Sequence, residues 1–257
     1  MSDLSGAFTK LLRAQHHLES IETALLEFQN NNPQPFRHEK YDDGRSWTLF
    51  WNFDPLPDLA RWSAMFGDFV HNLRSSLDHA IWQLILRENG QPGRRTEFPI
   101  FNDAARFRGE ASRKMYGLND PDVRALIERY QPFQGSWGVS PDPLWFVHEC
   151  DRTDKHQQLH VVVQLPGLME IAATVHLVGA VTPSEAPITF SGAPAEHGAA
   201  FATITPGQPS TKVDMTLTVA VEAGIEVMGS RFRMGQALDT SIKSVGRILS
   251  EIQQAFF

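Results

Sequence analysis

The chain has 257 residues, 42% of them apolar and 21% charged, a composition typical of a globular protein with a substantial core. Its net charge of −7 argues against binding nucleic acid through the whole surface, although a local basic patch is not excluded. The single cysteine, Cys150, excludes an intrachain disulfide and is expected to be packed in the core. The hydropathy of the sequence indicates no signal peptide and no membrane span, which predicts a cytoplasmic protein that does not bind membranes.

Helical periodicity dominates the first 160 residues. An aromatic-rich alternation at about 36–53, with Asp42-Asp43-Gly44 as its turn, predicts a β-hairpin within this part. Proline after Phe98 disfavours helix, so residues 94–101 are expected to be extended and to cross the helical core. Helices are predicted where apolar residues recur every three or four positions, at 4–29, 58–88, 103–116, 120–131 and 142–158.

After His160 the composition changes to short runs rich in Val, Ile and Thr, which predict a small antiparallel sheet within 161–222. Residues 232–257 have a near-heptad apolar stripe and are expected to form a helix that packs on the bundle. The sequence therefore predicts an α+β fold, a helical bundle packed with a small antiparallel sheet in one continuous domain. The individual strands are expected at 161–165, 169–181, 187–191, 200–205 and 211–222.

The helix containing His71–His79 carries the strongest candidate for a functional site. Its apolar stripe faces the core, and the opposite side is rich in polar residues other than the Lys and Glu typical of a solvated face. Arg74 is expected at the edge of this polar face. An ordinary polar surface or a buried hydrogen-bond network remains the alternative. The polar face consists of Asp68, His71, Asn72, Ser75, Asp78, His79 and Trp82.

Arg74 and His79 form an Arg-x4-His motif, and here the chain resembles the HEPN superfamily of helical-bundle nucleases and nucleic-acid-associated proteins. The resemblance implies a homodimer that binds RNA or cleaves it without a metal or other cofactor. Arg74 would hold the scissile phosphate, and His79 would act at the 2′-hydroxyl or the leaving oxygen. Ser75 departs from the family pattern, because an asparagine often follows the arginine there.

A second polar face is predicted on the helix at 142–158. His148, Asp151, Arg152, Lys155 and His156 share one side of that helix. Three motifs follow one another along the chain: His71–His79, Phe-Pro-Ile-Phe near position 100 and Asp-x-x-Asp-Lys-His near position 155. Their order resembles a broad group of bacterial and phage proteins of similar size. That resemblance suggests one constellation, consisting of His71, Arg74, Asp78, Asp151, Asp154, Lys155 and His156.

The preferred hypothesis is a HEPN-like RNA-binding protein or ribonuclease, with a place in phage defence or a toxin-type system. Arg74, His79 and Asp78 are its expected catalytic residues, with Asp78 orienting a histidine. Substrate contacts are expected from His71, Asn72, Ser75, Trp82, Arg152, Lys155 and His156.

Two alternatives remain open. The first is a non-catalytic binding module for a small anionic ligand or a partner protein. The second is a metal site, which the neighbouring Arg74 and Lys155 disfavour because two cations beside a divalent ion need compensating anions. The ligands of such a site would come from His71, Asp78, His148, Asp151, Asp154 and His156.

Overall fold

A computed structural model describes residues 3–135, 141–156, 159–164, 172–178, 188–190, 195–205, 212–218 and 222–257. These residues form an α+β fold with small antiparallel sheets, which confirms the predicted fold class. The helices are α1 (Ser5–Asn31), α2 (Leu59–Arg87), α3 (Ala104–Lys114), α4 (Pro121–Arg129), α5 (Pro143–Asp154) and α6 (Met234–Phe256). Across the described ranges, no helix is long and apolar enough to cross a membrane.

The strands are shorter than the helices and lie mostly in the second half of the chain. The predicted run at 211–222 corresponds to β7 and the start of β8, and its residues 219–221 lie outside the described residues. The same holds for both ends of the predicted run at 169–181, whose middle is β4. The strands are β1 (Phe36–Tyr41), β2 (Ser46–Trp51), β3 (His160–Gln164), β4 (Ala172–Val178), β5 (Ile188–Phe190), β6 (Ala200–Ile204), β7 (Lys212–Thr218), β8 (Glu222–Val227) and β9 (Ser230–Arg233).

The chain divides into two compact units. The helical unit comprises residues 1–22, 60–160 and 225–257, and the sheet unit comprises residues 23–59 and 161–224. The predicted hairpin at 36–53 therefore groups with the strands that follow residue 160 rather than with the helices around it.

In the helical unit, the apolar stripe of α2 is the centre of the core. Phe66, Leu73 and Leu77 have no exposed surface, and Phe66 meets Phe146 of α5 edge to face with ring centroids 6.1 Å apart. Burial of each such side chain contributes roughly 1.5–3 kcal/mol. Packing of this stripe fixes the rotation of α2 and hence the direction in which its polar side chains lie.

In the sheet unit, the largest sheet has the strand order β1-β2-β6-β5, and its described pairs are antiparallel. Trp47, Leu49 and Trp51 of β2 are buried while the residues between them are half-exposed, as the two-residue period of a strand requires. The ring of Trp51 stacks on Phe201 of β6 with centroids 4.1 Å apart. Gly44 has a φ of 92° in the hairpin turn, a conformation that glycine adopts without steric cost.

Candidate functional site

The predicted extended segment before α3 is held by side chains instead of by a strand ladder. The amide of Phe98 donates to Asp78 Oδ1 at 2.8 Å, and Arg74 Nη2 donates to the carbonyl oxygen of Phe98 at 2.7 Å. Phe98 itself is fully buried, so both of its backbone groups need such partners. Arg74 and Asp78, one turn apart on α2, therefore satisfy the backbone that crosses the helix.

A buried glutamine anchors the far end of the same segment. Phe101 donates its amide to Gln131 Oε1 at 3.0 Å, and Gln131 Nε2 donates to the carbonyl oxygen of Pro99 at 2.8 Å. Gln131 is only 2% exposed, and it follows the end of α4. The segment is thus fixed between α2 and the end of α4.

Arg74 lies inside this arrangement, not on the surface. Its side chain is 3% exposed, and Nη2 lies 3.0 Å from Asp78 Oδ1 and 3.2 Å from Glu97 Oε2. We expected Arg74 at the edge of an exposed face, and the structure corrects this placement. The extended segment covers the arginine and supplies a carbonyl and a carboxylate acceptor to Nη2, whereas Nη1 has no hydrogen-bond partner among the described residues.

Asp78 binds Arg74 and the Phe98 amide, whereas the sequence predicted that it would orient a histidine. Burial raises the pKa of Asp78 above its ordinary value, and the charge of Arg74 and the Phe98 hydrogen bond only partly oppose this effect. Its partners among the described residues identify Asp78 as a structural ligand of the arginine and of the segment.

His79 is exposed and lies away from Arg74. Five residues of α-helix turn the two side chains through about 140°. The imidazole lies against α1, where a Cβ at Gly6 would be 3.0 Å from His79 Nδ1. Within one chain, the arginine and histidine of the motif therefore do not converge on one point.

Glu97 joins the buried arginine to a surface cleft. Its Oε1 lies 2.7 Å from Lys114 Nζ of α3, and its Oε2 is the atom that contacts Arg74. Burial by itself would raise the pKa of Glu97, but the hydrogen bond from Lys114 and the positive charge of Arg74 bring that pKa below its ordinary value. Glu97 is therefore a carboxylate bridge between two cations.

Two cavities beside Glu97 share lining residues, and together we call them the basic cleft. The larger cavity has a volume of about 460 Å³ and the smaller about 220 Å³, and both are lined by Glu97, Arg113 and Lys114. The larger cavity is further lined by Asp78, Arg94, Arg95 and Thr96. The smaller cavity is further lined by residues that include Arg106, Trp145, His148 and Glu149.

The arginines of the basic cleft have few or long ion-pair contacts. Arg94 and Arg95 are exposed, and neither forms an ion pair with any residue that the structure describes. Arg113 Nη2 lies 3.8 Å from Glu110 Oε2, and Arg106 Nε lies 3.4 Å from Glu110 Oε1. These guanidinium groups are therefore available to an anion in the cleft.

His148 lines the smaller cavity beside Trp145. Burial lowers the pKa of His148 to about 4, and the positive charge of Arg74 acts in the same direction. At neutral pH its imidazole is therefore uncharged and has one donor and one acceptor nitrogen.

The sequence analysis missed the principal residues of this cleft, Arg94, Arg95, Glu97, Arg113 and Lys114. A usable signal was present, because two consecutive arginines begin the predicted extended segment and a single glutamate follows them. The contribution of Lys114 and Arg113 depends on how α3 packs, which periodicity does not give.

A second polar cluster connects α2 with α5. Asp151 is 5% exposed on its side chain and accepts from His71 Nδ1 at 3.1 Å and from Lys155 Nζ at 2.6 Å. Further along, the carboxylate of Asp154 lies over Gly67, where a Cβ would come within 2.5 Å of Oδ1. The structure thus brings together the two polar faces that the sequence suggested, at His71 and Asp151.

The remaining predicted site residues are spread over the surface of α2 and α5. Asn72 donates to the backbone oxygen of Asp68 at 2.8 Å, and Arg152 pairs with Glu149 of its own helix. The others are half-exposed or exposed, and their side chains have no hydrogen bond or ion pair within the described part of the chain, namely Ser75, Trp82 and His156. Among the described ranges, no three His, Cys, Asp or Glu side chains are arranged to hold a metal ion.

Comparison of the chain with protein-family models, curated proteins and solved structures finds no match. The HEPN resemblance therefore depends on the Arg74 and His79 motif alone.

Proposed function

We propose that this protein is a non-catalytic binding module that holds a small anionic ligand in the basic cleft. The observation that carries the proposal is the pair Arg94 and Arg95, two exposed guanidinium groups without ion-pair partners among the described residues. They line a cavity of about 460 Å³ together with Lys114. Guanidinium groups bind phosphate and carboxylate oxygens through paired, charge-assisted hydrogen bonds.

The surroundings of the Arg-x4-His motif favour binding over catalysis. A phosphate cleaved by this motif would need contact with both the guanidinium and the imidazole. Arg74 is 3% exposed and already bound to Asp78, Glu97 and Phe98, whereas His79 lies on another side of α2. An anion can therefore reach the exposed arginines of the basic cleft, whereas the arginine of the motif is buried.

Titration calorimetry with inorganic phosphate tests the proposal. We expect the double substitution Arg94→Gln and Arg95→Gln to weaken phosphate binding at least tenfold, because it removes two charge-assisted contacts. Arg108→Gln is the matched control, since Arg108 is an exposed arginine of α3 that lines neither cavity. Absence of phosphate binding to the wild-type protein, or equal binding by the double variant, would contradict the proposal.

The second candidate is a HEPN-like, metal-independent ribonuclease that acts as a cytoplasmic homodimer in phage defence. The observation that favours it is the exposure of Trp82 and Leu86, each 42% exposed, three and seven residues after His79 on the same side of α2. An apolar patch at this place suits contact with a second copy of the chain, which the HEPN resemblance implies.

RNA incubated with the protein and EDTA tests the second candidate. Cleavage that leaves cyclic phosphate ends and is lost in His79→Ala would support it. Intact RNA in the presence of a folded wild-type protein would contradict it, and cleavage that appears only with added zinc or manganese would point to a metal-dependent activity.

A further inference from the structure

We propose that Glu97 is an internal competitor for the ligand of the basic cleft. The ligand's oxyanion group displaces the Glu97 carboxylate from Lys114 and Arg74, so that the buried guanidinium of Arg74 becomes part of the binding site. This inference rests on the anion-binding function proposed above, and it identifies the ligand group as an oxyanion that can bridge two cations.

The first argument is the geometry of the bridge. The two oxygens of Glu97 bind separate cations, Lys114 Nζ at 2.7 Å and Arg74 Nη2 at 3.2 Å. A phosphate, sulfate or carboxylate group would bind the same pair of cations in the same way. Glu97 thus has the contacts that a ligand anion would have.

The second argument is the difference in burial between the carboxylate and the cations. The Glu97 side chain is 41% exposed, whereas Lys114 is 15% and Arg74 only 3% exposed. Glu97 also lines both cavities, so its carboxylate can rotate into solvent while the two cations stay in place. An incoming anion therefore meets an exposed carboxylate in front of more deeply buried positive charges.

The third argument is the unused hydrogen-bonding capacity of Arg74. Its Nη1 is buried and has no hydrogen-bond partner among the described residues. Such an orphaned guanidinium nitrogen is costly, and an additional acceptor would satisfy it. When Glu97 leaves, Arg74 keeps its contacts with Asp78 and the Phe98 carbonyl, so the arginine remains in position.

Displacement of Glu97 has a consequence for pH dependence. Charged or titratable groups surround this carboxylate on three helices and on its own segment. They are Arg74 and Asp78 of α2, Arg106, Glu110, Arg113 and Lys114 of α3, His148 and Glu149 of α5, and Arg94 and Arg95 of the segment. Release from Lys114 and Arg74 removes the contacts that lower the pKa of Glu97, so this pKa returns towards its ordinary value. Ligand binding then takes up a proton, so affinity rises as the pH falls through this range.

Sulfate is the probe, because it does not titrate between pH 4 and 7. At pH 7 we expect Glu97→Gln to bind sulfate about tenfold more tightly than the wild-type protein, since the competing charge is removed. Glu110→Gln is the matched control, because it removes a negative charge from the same cleft without contact to Arg74 or Lys114. The wild-type protein and the Glu110→Gln variant should bind more tightly at pH 4.5 than at pH 7. Glu97→Gln should show a smaller gain, because only the protonation of other cleft residues such as Asp78 and His148 remains to produce it.

The outcomes separate the two proposals. Sulfate binding by the wild-type protein that Glu97→Gln improves no more than Glu110→Gln would overturn the role of Glu97 and leave the anion-binding function intact. Failure of both the wild-type protein and Glu97→Gln to bind sulfate or phosphate would overturn both. Thermal unfolding checks the fold of each variant. If Glu97→Gln is unstable, Glu97→Asp replaces it in the test. The shorter aspartate side chain is expected to lose contact with one of the two cations, so this variant should also bind sulfate more tightly than the wild-type protein.

Discussion

Arg74 and the Arg94-Arg95 pair have the same side-chain chemistry in opposite environments. Arg74 is buried and bound to two carboxylates and a backbone carbonyl, whereas Arg94 and Arg95 are exposed and have no ion-pair partner among the described residues. A buried charge must be compensated by its surroundings, so its contacts are used for folding. In the structure as it stands, the arginine of the recognisable motif therefore supports the architecture, whereas Arg94 and Arg95 are open to a ligand without displacement of another group.

Substitution of each kind of arginine in turn tests most directly whether Arg74 is structural and Arg94 is not. We expect Arg74→Met to lower the free energy of unfolding by about 2–4 kcal/mol, because it leaves the buried Phe98 carbonyl without its donor and the half-buried Asp78 without its cation. Arg94→Met is the matched control and should change it by less than about 0.5 kcal/mol. Urea unfolding measures the free energy of unfolding of both variants. A decrease below about 1 kcal/mol in Arg74→Met would contradict the structural role of Arg74.

The neighbourhood of Arg74 also predicts how stability depends on pH. The pKa of His148 is lowered to about 4, whereas its ordinary value in the unfolded chain is 6.5. The unfolded state therefore takes up a proton first, and stability that is present above pH 6.5 is lost as the pH falls towards 4. We expect this single group to account for a loss of about 2–3 kcal/mol.

Urea unfolding at several pH values separates this contribution from those of the carboxylates. His148→Gln should lose less stability than the wild-type protein between pH 7 and 4.5, because glutamine does not titrate. If the free energy of unfolding changed with pH in the same way in both proteins, His148 would have an ordinary pKa in the folded state, which would contradict the prediction.

The smallest effect is expected on the exposed side of the second polar cluster. Lys155 binds Asp151 but is 54% exposed, so Lys155→Met should cost no more than about 0.5 kcal/mol. Lys114→Met removes a lysine that is only 15% exposed and should cost about 1 kcal/mol. The comparison would be weakened if thermal or urea unfolding ranked the two variants in the opposite order.

The sequence was sufficient for the fold class and for the apolar stripe of α2, because both depend on local periodicity. Residues such as Phe66, Leu73 and Leu77 recur on one side of a helix, and the core must lie on that side. The sequence also suggested that the polar faces of α2 and α5 meet, and the structure has His71 next to Asp151.

The burial of Arg74 could not be predicted in the same way. On a helical wheel it lies at the edge of the stripe, and its environment depends on a segment more than twenty residues later that supplies Glu97 and the Phe98 carbonyl. The basic cleft has the same origin, since Arg94 and Lys114 come from different parts of the chain. Long-range packing of this kind leaves no periodic signal in the sequence.

The anchoring of Phe98 by side chains has a consequence for isotope exchange. Its amide lies in a segment that is neither helix nor strand, yet the proton is held by the Asp78 carboxylate in a fully buried position. Deuterium should enter this amide only when the segment lifts away from α2, as slowly as at sites in regular secondary structure. The exchange rate of the Phe98 amide proton would therefore report how often the extended segment separates from α2.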